Sequence, residues 1–133
     1  MMRDELDKQL CETYPKLFAN RYKPMTETCM CWGFECSDGW FNIIDTLCDN
    51  IQRHIDWKNR NGTVVPQVVV DQVKEKFGTL RFYYTGGDDY ISGLVDMAEG
   101  MSGVTCEECG NPGKSRSGGW IRTLCEEHSK GRE

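Results

Sequence analysis

The sequence predicts an α+β fold: a small antiparallel, hairpin-based sheet packed by two helices, followed by a Cys/His-rich C-terminal module. Three observations carry this prediction. Apolar residues recur at helical spacing over residues 40–55 and again over 91–98. β-Branched and aromatic residues dominate 67–84, interrupted by Gly78. The last quarter of the chain holds two closely spaced Cys/His pairs. The 133 residues suffice for one domain with a small appendage, divided here into an α+β body, 1–103, and a module, 104–133.

The elements follow in order. Residues 2–13 read as a short helix, with Leu6 and Leu10 at i, i+4 and Cys11 beside them, until Pro15 interrupts the pattern. Residues 19–37 show no period and hold Pro24, Gly33 and three cysteines, which predicts an irregular loop. Asp38 is placed to cap the main helix, whose stripe is Trp40, Ile43, Ile44, Leu47, Cys48, Ile51 and Ile55, ending at Asn61-Gly62. The hairpin runs from about 66 to 85, with Gly78-Thr79 as its two-residue turn. Gly86-Gly87-Asp88-Asp89 then turns into a second amphipathic helix carrying Ile91, Leu94, Val95 and Ala98.

Hydrophobic residues make up 38% and charged residues 28%, a balance that argues against disorder. The 21 acidic against 16 basic residues give a net charge of −5, which disfavours non-specific nucleic-acid binding by the whole surface but leaves room for a local basic patch. No run approaches the roughly 18 apolar residues of a membrane span. The polar, acidic N-terminus does not read as a signal peptide, so a cytoplasmic location is expected. Disulfides are rare there, and the eight cysteines are then metal ligands, core residues or reactive thiols.

The C-terminal pairs are the sharpest signal. Cys106-x-x-Cys109-Gly110 is followed, after fifteen residues between the pairs, by Cys125-x-x-His128. A tight turn aims both thiolates of the first pair at one point, and i, i+3 spacing on a first helical turn does the same for the second. This is the spacing of a zinc site, and four protein ligands predict a closed, structural one, with one zinc per chain. Ser117-Gly118-Gly119 reads as a turn between two short strands, the second over 120–124. Knuckle, hairpin, then ligand-bearing helix resembles a treble-clef zinc finger.

For Cys11, Cys29, Cys31 and Cys36 two readings stand side by side: a second metal site, or small buried inert residues. Cys48 lies on the apolar stripe and belongs to the core. His54 lies off that stripe and reads as solvated or locally hydrogen-bonded. No nucleophile elbow, phosphate loop or dinucleotide fingerprint is present, so no catalytic residue is assigned and the chain is expected not to be an enzyme.

The hairpin offers a ligand site. With Gly78-Thr79 as the turn, Phe77 pairs with Leu80, Lys76 with Arg81 and Lys74 with Tyr83. Lys74, Lys76, Arg81 and Tyr83 then share one face, because side chains alternate along strands. Phe77, Phe82, Val73 and Tyr84 share the other and pack on the helices. Like charges placed opposite one another cost stability, and an anion between them offsets that cost. Phosphate with a stackable base fits such a face; a plain solvated face is the bland alternative. In the tail five acidic residues balance five basic ones, among them Lys114, Arg116 and Arg122.

Three segments carry a wider resemblance: Cys36-Ser37-Asp38-Gly39-Trp40 with Cys48; residues 73–83, Val-Lys-Glu-Lys-Phe-Gly-Thr-Leu-Arg-Phe-Tyr; and Cys106-x-x-Cys109 with Gly119-Trp120-Ile121-Arg122-Thr123-Leu124-Cys125-x-x-His128. Together they resemble a family of small, largely uncharacterised proteins of bacteria and their phages. The resemblance spans about 34–129, leaves the N-terminal 30 residues outside, and has Ser37 where the pattern has Gly. It implies a phage-encoded protein that binds a host component in the host cytoplasm. One version is an anti-defence protein that sequesters a nucleotide signal. The function expected is therefore a non-enzymatic, zinc-stabilised binding protein whose partner is a host protein or a phosphate-bearing small molecule, with no membrane partner. Such sequestering proteins are often homo-oligomers. The alternative is a nucleic-acid-binding zinc-finger regulator, which the acidic total and the charge-neutral tail count against.

Overall fold

The computed structural model describes residues 1–132; Glu133, the last residue of the predicted module, lies outside the described residues. Helix α1 spans Asp4–Thr13 and is followed by turns up to a two-residue strand, β1 (Phe34–Glu35). Helix α2 (Phe41–Arg60), the hairpin strands β2 (Val69–Lys76) and β3 (Thr79–Thr85), and helix α3 (Asp89–Ser102) complete the body. Strands β4 (Lys114–Arg116) and β5 (Arg122–Leu124) form a second small sheet. The class is α+β, with three helices. β2 and β3 are antiparallel as expected, and β1 adds a parallel strand on the other side of β2, pairing Phe34 with Val73, so the sheet is mixed. No helix among the described residues is long and apolar enough to cross a membrane.

The predicted stripe is buried throughout: Trp40, just before α2, and Ile44, Cys48 and Ile51 within it are each 0% exposed. Each large apolar side chain so buried contributes about 1.5–3 kcal/mol. From α3, Ile91, Val95 and Ala98 enter the same core. Asp88 caps α3, accepting the Ile91 N–H at 3.1 Å. Asp38 does not cap α2, contrary to expectation. Residues Asp38–Trp40 form a 3-10 turn, and the Asp38 carboxylate accepts the Arg3 backbone N–H at 2.9 Å instead. The N-terminal segment is held by a half-buried pair, with Arg21 Nη2 2.9 Å from Asp7 Oδ2.

The hairpin turn lies one residue earlier than predicted. Phe77 and Gly78 are the central pair, both at positive φ (53° and 82°), as a type I′ turn requires. Lys76 pairs with Thr79, Lys74 with Arg81 and Gln72 with Tyr83. From Gln72 to Lys76 each cross-strand partner therefore moves by two residues, and a shift of two leaves those side chains on their predicted face. Phe77 is the exception: it sits in the turn, 65% exposed, and does not pack on the helices. One local and one tertiary contact hold this turn. The Glu75 carboxylate accepts the Gly78 N–H at 2.8 Å, and the Gly78 carbonyl accepts the Thr123 hydroxyl at 2.6 Å. Along the outer edge of β3, the Leu80 and Phe82 N–H groups are taken by Ser102 Oγ and Glu99 Oε2 at 2.8 and 2.9 Å. Helix α3 thus covers a strand edge that is otherwise free to pair with another chain.

The C-terminal residues pack against two places in the body. Ile121 and Arg122 abut Gly78, and the backbone of Cys106 and Glu107 lies so close to Gly39 that a Cβ there has no space. The Glu107 carboxylate, 4% exposed, accepts the Ser37 N–H at 2.9 Å.

Candidate metal centre and anion-binding face

Cys106 and Cys109 come from a knuckle closed by two backbone bonds, Gly110 N–H to Cys106 O at 2.9 Å and Cys106 N–H to Asn111 O at 2.7 Å. Cys125 follows β5, and His128 lies in a 3-10 turn, Glu127–Ser129. The sequence predicts a helix here and the structure holds one 3-10 turn. At three residues per turn, positions i and i+3 still stand over one another, so the ligand geometry survives.

The four donor atoms all lie within 4.8 Å of one another. Cys109 Sγ is 3.8 Å from Cys125 Sγ, and His128 Nδ1 is 3.7 Å from Cys106 Sγ and 3.2 Å from Cys125 Sγ. A tetrahedral ion with metal–sulfur bonds of about 2.3 Å and metal–nitrogen bonds of about 2.0 Å has edges of about 3.5–3.8 Å. The Cys109–Cys125 and Cys106–His128 separations match those edges, Cys125–His128 is somewhat shorter, and the cluster could hold a metal ion.

Its electrostatics favour the ligating forms. Burial opposes a Cys106 thiolate, but backbone N–H groups of Cys125, Cys109 and Glu108 outweigh burial and bring its pKa down to about 6. The His128 N–H lowers that of Cys125. Cys109 goes the other way: the Asn111 N–H favours its thiolate, yet desolvation and the Cys106 and Cys125 sulfurs raise its pKa. Arg122 is spent inside the module, 2.7 Å from Glu108 and 3.4 Å from Glu107.

Among the described residues, Cys11, Cys29, Cys31 and Cys36 do not converge on one point. Burial and the neighbouring Asp7 push the Cys11 thiol up to about 12. Burial also raises the thiols of Cys36 and Cys48. These are the marks of inert, protonated thiols.

On the outer face of the hairpin, Lys74 stands opposite Arg81, with Lys76 and Tyr83 in the flanking rows. Tyr83 is 42% exposed. Among the described residues, none of the three cations has a carboxylate within 4 Å. Glu35, the Cα neighbour of Lys74 on β1, accepts the Gln72 amide at 3.3 Å, one row along the same face, and lies beyond 4 Å from the Lys74 ammonium.

Two features escape a linear reading. His54 is bonded to Asp88 at 2.8 Å and stacks on Tyr90 with ring centroids 4.2 Å apart, tying α2 to α3 across 34 positions. Asp71 interrupts the alternation of β2 as the extra residue of a bulge. No family model, curated protein or solved structure matches the chain, so the Cys3His cluster and the α+β fold carry the case by themselves.

Proposed function

We propose that this is a non-enzymatic binding protein, stapled by one structural zinc ion per chain, that captures a phosphate-bearing ligand on the outer face of its hairpin. Sulfur-rich donors in a tetrahedral arrangement suit zinc, and four protein ligands leave no open coordination position. The metal then serves folding, and ligand capture falls to the surface it stabilises. Two further features support the same division: the tail's Arg122 is paired with Glu107 and Glu108, while among the described residues the hairpin's cations have no carboxylate within 4 Å.

The observation that carries the reading is the Lys74–Arg81 pair. Like charges opposite one another are unfavourable, and an anion bridging them reverses the sign. A guanidinium and an ammonium side by side beside an exposed ring form a phosphate-and-base surface. The resemblance to small phage proteins makes a host nucleotide signal the first ligand to try. The alternative, a nucleic-acid reader built on the zinc tail, gains no support from a tail whose Arg122 is already paired.

The test is a thermal-shift and calorimetric screen with pyrophosphate, nucleotides, cyclic dinucleotides and short DNA, on the wild-type chain and on Lys74→Gln with Arg81→Gln. Phosphate-dependent binding that the double variant loses supports the reading. Binding that survives the double substitution moves the site elsewhere on the protein. Metal analysis of the purified chain checks the staple: about one zinc per chain is expected, and none removes it.

A further inference from the structure

The bulge in β2 places a carboxylate where alternation forbids one. Between Val70 and Gln72 the register with β3 shifts, leaving Asp71 as an extra residue. A bulge re-aims the side chain it carries. Here Asp71 reaches the Thr85 hydroxyl, which donates to its Oδ2 at 2.8 Å. Thr85 shares a face with Tyr83 and Arg81, so Asp71 and Gln72 both come to the outer side. Asp71, Gln72 and Tyr83 line one cleft of about 370 Å³, bounded on its far side by the loop carrying Glu27 and Thr28.

This cleft continues the cationic face. The Gln72–Tyr83 row and the Lys74–Arg81 row are neighbours two residues apart along the strands. At the rise of a β-strand they lie about 7 Å apart, a spacing that a nucleotide bridges between its base and its phosphates. Charge is divided along the same line, with carboxylates at the cleft and cations toward the turn.

We propose that the cleft is a base subsite selective for guanine nucleotides, an inference that rests on the reading of Lys74 and Arg81 as a phosphate site. Guanine presents two adjacent N–H donors, at N1 and N2, on its Watson–Crick edge. A single carboxylate accepts both. Adenine presents an acceptor beside a donor and meets the same carboxylate with a repulsion. The hydrogen bond from Thr85 fixes the Asp71 carboxylate while leaving acceptor capacity on both oxygens. The exposed face of Tyr83 supplies the stacking surface. The Gln72 side-chain carbonyl, which accepts no hydrogen bond among the described residues, adds a further acceptor at the cleft.

The experiment is calorimetric titration of the zinc-loaded, full-length chain with GDP, ADP and pyrophosphate, repeated on Asp71→Asn and Tyr83→Ala. GDP is expected to bind roughly tenfold or more tightly than ADP, the discrimination of one good bidentate pair. Asp71→Asn keeps an acceptor for Thr85 and is expected to bring GDP down to the ADP level with pyrophosphate affinity unchanged. Tyr83→Ala is expected to weaken GDP and ADP together while sparing pyrophosphate. Equal affinities for GDP, ADP and pyrophosphate overturn the base subsite and leave the phosphate face standing. A guanine preference that survives Asp71→Asn overturns the role given to Asp71. Binding of none of the three overturns the subsite and the phosphate face together.

Discussion

Trp40, fully buried in the core, donates its indole N–H to the carbonyl of Thr105 at 3.0 Å, one residue before the first metal ligand. The largest fully buried side chain of the body is thereby fixed to the knuckle of the candidate metal centre. Glu107, on the other side of Cys106, is fixed in the same way to Ser37. Loosening the knuckle removes partners from buried polar groups in the body, and an unpaired buried donor costs about 1–3 kcal/mol.

Removing the metal is therefore expected to destabilise the whole chain and not the tail alone. A strong chelator, or Cys109→Ser, should lower stability by about 3–4 kcal/mol, a fall in unfolding midpoint of roughly 10–20 °C. Near-ultraviolet dichroism of the buried Trp40 is one readout, and hydrogen exchange of α2 is a second. A chelated protein with an unchanged midpoint and an unchanged α2 would show the two regions to be uncoupled.

What was legible in the chain follows from range. The stripe from Trp40 to Ile55 could be read because one helix buries one face on one core. The candidate metal ligands are legible because each pair is local. Elements fixed by distant partners are not. The turn at Phe77-Gly78 is held in part by Thr123, 45 residues away from Gly78. Asp38 is drawn off its capping role by the Arg3 N–H, 35 positions earlier. Strand β1 is two residues long and carries no period. Lys74, Lys76, Arg81 and Tyr83 share a face with either turn, because the two registers differ by two residues over this stretch.

Two glycines test the packing of the module. A Cβ at Gly39 collides with the Cys106–Glu107 backbone, which cannot swing aside as a side chain can. Gly93, inside α3, faces open space. Gly39→Ala is expected to destabilise by more than about 2 kcal/mol, whereas Gly93→Ala is expected to stabilise by about 0.5–1 kcal/mol. Urea unfolding of the two variants measures both. A neutral Gly39→Ala would mean that the knuckle does not sit on the 3-10 turn.

Acid should release the metal. Cys106 has a folded pKa of about 6 against an ordinary 9.0. Between those values the unfolded chain binds a proton that the folded chain does not, so this group's contribution is fully present above about 9 and is lost as pH falls through about 6. Protons compete with the metal for the same sulfur, which acts in the same direction. A chromogenic chelator should therefore extract the metal far faster at pH 5 than at pH 8. Equal rates would contradict the low thiol pKa.

The last prediction sets stability against binding at one position. Arg81 faces Lys74 across the hairpin, with no carboxylate within 4 Å among the described residues. Arg81→Glu converts a like-charge pair into an opposite-charge pair and should stabilise the ligand-free chain by about 0.2–1 kcal/mol. The same change places a negative charge where phosphate is proposed to sit and should abolish pyrophosphate binding. A merely solvated face predicts the small gain in stability with no ligand to lose. A structural role for Arg81 predicts a loss of stability. Denaturation midpoints and pyrophosphate titrations on one pair of proteins separate the three outcomes, because only a ligand site held in readiness gains stability on the substitution while losing its anion.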